Sequence, residues 1–410
     1  MTEKAARVLA VLLCILIAMG GVQGATLTVA PDGGAYTDLH QALDAAAPGD
    51  EIVVRAGTYP GGVVIGVPVT VSGEEGATIG TAGDTTALSV TADDVIIRNL
   101  ACTAAGVGII ANQTDGLVVR DCRVISDGVG ILCSRCNEST LATTQVMAAQ
   151  TGIETMFCMG TKISGCQVTA DGIGITLRDT EDTALEGVHL MGAELGILAE
   201  NAERCEITNT TFTGNGAGIL GVGITDCSIT GSAFSDVIQY IQFYAASGCS
   251  VETPSLEGPT YFAADIFSNT TYCCDPYTVS GRDFGLLADT YTPPEGYQLF
   301  GDAMNITFIS AAESAEAPSV TIEADIPAEL PGIAGNTYGI YRTDGTEPVL
   351  MAVPDVSEEG SQILQMTVTE PAHIALMART EADETPYYYI FLWAVVALGV
   401  LLLLVLWRKR

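Results

Sequence analysis

Residues 107–132, VGIIANQTDGLVVRDCRVISDGVGIL, carry the pattern that decides the fold. Gly108-Ile109 returns 22 residues later as Gly130-Ile131, then with Gly152, Gly174, Gly196 and Gly218, each followed by Ile, and Ile241 extends the column. A second column at the same step runs Ile97, Val119, Leu141, Ile163, Leu185, Ile207, Ile229 and Val251. A third runs Cys102, Val124, Val146, Val168, Leu190, Phe212 and Phe234. A fixed period in the low twenties marks an array whose units bury their apolar side against their neighbours. Within one unit Val119 and Val124 are separated by the outward pair Arg120 and Asp121, which is strand-like alternation. Asp127-Gly128, Asp171-Gly172 and Asn215-Gly216 supply turns. Three short strands per unit, stacked in parallel on the next unit at about 4.8 Å, satisfy all of this. The Leu/Asn signature of leucine-rich repeats is absent. The expected fold is therefore all-β, a parallel β-helix of 22-residue coils.

The segment ahead of the repeats, TLTVAPDGGAYTDLHQALDAAAPGDEIVVRAGTY from Thr26 to Tyr59, places Tyr36, Leu39, Leu43 and Ala46 on one face of a short helix before a PGD turn and the GTY strand. It resembles the N-terminal cap of right-handed β-helix proteins of the pectate-lyase-like superfamily, and the repeats are similar to the NosD-like, carbohydrate-binding and sugar-hydrolase type. That resemblance spans residues 26–254 and implies the fold but no one activity, because the same fold hosts lyases, hydrolases, epimerases and adhesins. A cap is physically required, since an open end would expose edge strands and the ladder interior.

The organisation expected from the chain is a leader at 1–24, a cap and first coil at 25–86, and repeats at 87–254. A connector at 255–295 and a small β-sandwich at 296–380 follow, in which Asp344-Gly345 marks a hairpin. The sandwich, with its YGIYRTDGTEPVLM pair, resembles the one that precedes the membrane anchor in archaeal surface proteins. An acidic stalk at 381–389, an apolar stretch at 390–407 and a basic tail at 408–410 complete it. Lys4 and Arg7 ahead of an apolar run read as a secretory signal. Eighteen uncharged residues from Ile390 to Trp407, bounded by Tyr387–Tyr389 and Arg408–Arg410, read as a transmembrane helix with its basic end in the cytoplasm. The expected address is a single-pass type I membrane protein with an extracellular ectodomain.

The 410 residues carry 16 basic against 49 acidic side chains, a formal charge of −33. Such a surface repels phosphate backbones and excludes nucleic acid as a partner. The expected partners are the membrane, through the C-terminal helix, and carbohydrate or a cell-surface protein. Self-repulsion of this size suits cation-rich surroundings, where it is screened.

Chemistry-bearing residues are few. Arg178 and Glu200 are 22 apart and so adjacent, with Glu154 near them; this is the one group able to serve as acid and base. A cross-coil ion pair accounts for it as well. Asp93, Asp115, Asn137, Glu181 and Glu203 make an outer column whose oxygens suit calcium, although turn chemistry explains them without it; no other cofactor is expected. Met156-Phe157-Cys158-Met159 offers soft ligands for Cu(I), with packing as the simpler reading. Cys136 and Cys158, and Cys205, Cys227 and Cys249, stack at one period, so each set is either a disulfide candidate or a ladder of free thiols; Cys273 and Cys274 are adjacent. Sequons at Asn112, Asn137, Asn209, Asn269 and Asn305 are glycan acceptors on an exported chain. Two functions follow: a non-catalytic rod that binds glycan or neighbouring surface components, or a polysaccharide lyase or hydrolase. The acid/base cluster the second requires is not visible, so the first leads.

Overall fold

The computed structural model describes residues 24–237, 239–252, 261–264, 268–274, 277–282, 284–289, 291–308, 319–326, 338–345, 347–352, 355–356 and 362–379. The expected leader (save Gly24), stalk, span and tail lie outside the described residues. Among the described residues no helix is long and apolar enough to cross a membrane.

Three sheets of 15, 16 and 9 strands form the faces of a solenoid. Face 1 contains Val107–Asn112, face 2 Val118–Arg120 and face 3 Arg123–Ser126, and each strand pairs in parallel with its equivalents one coil before and after. The columns of the sequence become ladders. Ile109, Ile131, Ile153, Ile175, Ile197, Ile219 and Ile241 are direct partners, and none is more than 2% exposed. Val119 and Leu141 continue the interior on face 2, Val124 and Val146 on face 3, where Phe212 stacks on Phe234 with centroids 4.6 Å apart.

Glycine precedes the isoleucines from Ile109 to Ile219, where the next coil leaves little room for a side chain. A Cβ on Gly152 would lie 2.2 Å from Val168 Cγ1 and 2.6 Å from the Gly174 carbonyl oxygen. Between faces 2 and 3 one residue per coil takes the left-handed conformation: Asn99, Asp121, Thr143 and Asn209 have φ of 53, 55, 46 and 49°, and glycine fills the equivalent positions 165, 187 and 231. Asn, Asp and Gly tolerate this region; β-branched Thr143 does not, and its hydroxyl donates to Asp121 Oδ1 at 2.6 Å.

The N-terminal helix α1, Leu39–Ala45, is capped by Asp38, whose side chain accepts from the Gln41 N–H, and it buries Leu39, Ala42 and Leu43. The helix is shorter than its apolar pattern predicts. Tyr36 precedes the cap and bridges to Val29, while Ala46 is the C-terminal cap. Asp50 of the PGD turn is buried and accepts the N–H groups of Ala25 at 2.6 Å and Ala47 at 2.8 Å.

At the other end the stack changes from parallel to antiparallel without losing its core. Asn269–Cys274 adds the last parallel strand to face 2, and Tyr277–Arg282 pairs antiparallel with it. Phe284–Asp289, Tyr297–Phe308, Ala372–Arg379 and Tyr338–Arg342 extend face 1, while Ser319–Ile326 and Gln362–Val368 extend face 2. The two sheets of the C-terminal sandwich are thus continuations of two faces of the solenoid. Phe262 joins the interiors, with ring centroids 4.8 Å from Tyr272 and 5.5 Å from Phe284. Asp344-Gly345 lies between Tyr338–Arg342 and Val349–Ala352, which pair antiparallel.

Candidate functional site

On the outside of face 1 the register brings Met156, Arg178 and Glu200 side by side at the ends of three successive strands. Arg178 Nε donates to Glu200 Oε2 at 2.7 Å, and its NH1 lies 3.7 Å from Glu154 Oε1. The hydrogen bond to Glu200 holds the Arg178 guanidinium above its ordinary, already high pKa, with Glu154 and Asp179 adding to it. Both carboxylates therefore share one fixed cation, and that cation is held in its protonated form. The row is an ion-pair brace across three coils.

The outer column stacks coil to coil: Asp115, Asn137, Met159, Glu181 and Glu203 form successive parallel bridges. Several of its oxygens already hold partners. Asp93 Oδ1 accepts the Asp115 N–H at 2.8 Å, and Asp115 Oδ1 accepts the Asn137 N–H at 3.2 Å. Arg204 ties Glu181, Asp182 and Glu203 together, its Nε donating to Asp182 Oδ1 at 2.8 Å. Met159 interrupts the run of oxygens. Among the described residues no group of three His, Cys, Asp or Glu side chains is placed to hold a metal ion.

The soft-ligand stretch does not converge either. Cys158 is buried at 2% exposure and points inward, whereas Phe157 and Met159 are 50% and 46% exposed. A copper ion bound to Met159 outside would not reach the Cys158 sulfur inside, so these residues do not fit a copper centre.

Cys136, Cys158, Cys205, Cys227, Cys249 and Cys273 are free thiols. Stacked on parallel strands, Cys136 with Cys158, and Cys227 with Cys205 and Cys249, are hydrogen-bonding neighbours but are not covalently joined. The buried ones also lie within hydrogen-bond reach of main-chain carbonyls, Cys158 of the Cys133 oxygen at 3.4 Å and Cys227 of the Ala202 oxygen at 3.5 Å. The Cys274 side chain lies outside the described residues. Of the sequons, Asn112 and Asn209 are exposed, and Asn137 and Asn305 are half-buried. Asn269 begins the last parallel strand of face 2.

One feature escaped the sequence. At the corner between faces 2 and 3, Asn99, Asp121, Arg123, Thr143 and Gln145 rim a groove of about 390 Å³ with Gly76 and Ala77 beside them. All five rim side chains are exposed. Among the described residues Arg123 makes one side-chain hydrogen bond, to the Met147 sulfur at 3.9 Å, so its charge is open to a ligand. The signal was present as Asn99, Asp121 and Thr143 at the repeat spacing, a left-handed corner column that displays its polar ends outward.

Residues 86–253 match the family described as periplasmic copper-binding protein (NosD). No curated protein matches the chain. Among solved structures it is similar to pectate lyase Pel9A, at 16% identity over 58% of this chain and 79% of that one, with a TM-score of 0.39. It is similar also to a polygalacturonase from Erwinia carotovora ssp. carotovora, at 11% identity over 62% and 95% of the two chains, TM-score 0.42. A third is tailspike protein 2 of bacteriophage CBA120, at 10% identity over 87% and 73%, TM-score 0.45.

Proposed function

Taking the chain as a NosD-like parallel β-helix, we propose that it is an exported, non-catalytic binding rod whose ligand is carbohydrate, held in the corner groove between faces 2 and 3. The observation that carries this reading is the groove rim itself. Asn99, Asp121, Arg123, Thr143 and Gln145 offer amides, a carboxylate, a guanidinium and a hydroxyl, the donor and acceptor set that sugar hydroxyls require. Arg123 adds a preference for uronic or otherwise anionic sugars, which the acidic remainder of the surface would repel. The ion-paired state of Arg178 argues against turnover on face 1. The expected leader and C-terminal span would keep the rod outside the cell, in keeping with the periplasmic description of the matching family.

A glycan array probed with the purified chain, scored for retention and for cleavage, tests this. Retention of an anionic glycan is expected, falling at least tenfold with Arg123→Ala or Gln145→Ala, without unsaturated or shortened products. Turnover that disappears with Arg178→Ala while the fold is intact would establish a lyase or hydrolase instead.

A further inference from the structure

The outer surface of face 1 differs from the rest of the molecule. Between Val107–Asn112 and Gln239–Tyr244 seven six-residue strands stack in register. Their outward positions carry Val107, Ile110, Val129, Leu132, Leu198 and Leu220, all half-buried only by their neighbours in the sheet. Val222 and Tyr244 at the strand ends are 36% and 40% exposed. Face 2, by contrast, displays Arg120, Lys162, Glu186 and Glu206, and face 3 mixes Arg123, Gln145, Gln167 and His189 with Ile125, Met147 and Met191.

In a chain with 49 acidic residues, the outward positions of face 1 from Val107 to Val222 include just three charged groups, Glu154, Arg178 and Glu200, which are paired with one another and leave a net charge of −1. Arg178 and Glu200 lie at strand ends, at the rim of the apolar area. Face 2 and the acidic corners meet repulsion when two copies approach through them, while face 3, whose outward strand positions carry Arg123 as their one charge, is mostly polar and offers no continuous aliphatic area. The patch is also the right size. Six residues at about 3.3 Å by seven strands at about 4.8 Å give about 20 by 30 Å, or some 600–700 Å² on each copy. Two such faces bury roughly 1,200–1,400 Å² between them, within the range of stable specific interfaces. Two flat sheets of equal ladder spacing pack about 10 Å apart with their side chains interdigitated.

We propose that face 1 is a self-association surface, and that the chain forms a dimer by packing the outer side of this sheet against the same sheet of a second copy. The ion-pair row then has a purpose independent of chemistry: Arg178 offsets one of the two negative charges, leaving a single net charge on the whole face.

Analytical ultracentrifugation of the full chain in detergent, with Leu132→Glu and Leu198→Glu, tests the proposal. The parent should sediment as a dimer, and each variant should raise the dimer dissociation constant at least tenfold. Both side chains point outward, so melting temperatures should stay near the parent's, and Thr169→Glu on face 3 should leave the dimer intact. A benzophenone amino acid at position 198 identifies the occupant directly. A covalent dimer on illumination supports the proposal; a cross-link only within one chain or to lipid, no cross-link, a monomeric parent, or variants that remain dimeric would each overturn it.

Discussion

Arg178 and Glu200 are separated by 22 residues in the chain and by one strand in space, with Arg178 Nε 2.7 Å from Glu200 Oε2. The pair exists because one full coil returns the backbone to the same place one ladder step along. Half-exposed as both are, its contribution to stability is small. Arg178→Ala should cost about 1 kcal/mol or less, read by denaturant unfolding, and should leave glycan retention unchanged. A loss of retention equal to that of Arg123→Ala would move the binding site to face 1.

Gly152→Ala should destabilise the protein far more than its size suggests. Its methyl would sit 2.2 Å from Val168 Cγ1 and against the backbone of Gly174, which cannot retreat without distorting the ladder. A cost of about 1–3 kcal/mol or more is expected from overpacking of this kind, measured as a fall in the unfolding midpoint.

Thr161→Val should stabilise it. The Thr161 hydroxyl is buried without a hydrogen-bond partner, one of a stacked set with Ser139 and Thr183. Replacing it by a methyl of the same shape removes the desolvation cost, about 1 kcal/mol, and should raise the melting temperature. A lower melting temperature would show that the hydroxyl has found a partner, such as a buried water.

Stability should fall at alkaline pH. Burial pushes the Cys122 thiol from its ordinary 9.0 up to about 11, and raises Cys102 and Cys166 as well. A thiol whose folded pKa is raised contributes fully below the unfolded pKa. As pH climbs from about 9 to 11 the unfolded thiol ionises while the folded one does not, so the unfolded state gains. Melting temperature should decline across that window, and Cys122→Val, which puts into this corner the residue found at the equivalent Val188, should flatten the decline.

The polar groove and the apolar outer face were less legible than the core, and for one reason. Inward columns such as Ile109 to Ile241 announce themselves because a packed interior accepts little but aliphatics at every repeat. Outward columns carry no such restriction. Asn99, Asp121 and Gln145 look like scattered loop residues until the left-handed corner at Asn99, Asp121 and Thr143 folds them around one groove. The soft-ligand stretch failed in the opposite sense: contiguous in the chain, Cys158 and Met159 end on opposite sides of the wall.

The sequence alone determined the coil length, the three strands per coil and the direction every core side chain takes, because a 22-residue period combined with two-residue alternation leaves one way to stack. Only the tertiary structure decided which outer residues meet. The number of residues spent at each corner, and the left-handed turn taken there, set the angle between faces. Through that angle they placed Arg123 beside Asp121 and Gln145, and left face 1 as a flat, nearly uncharged surface on an acidic molecule.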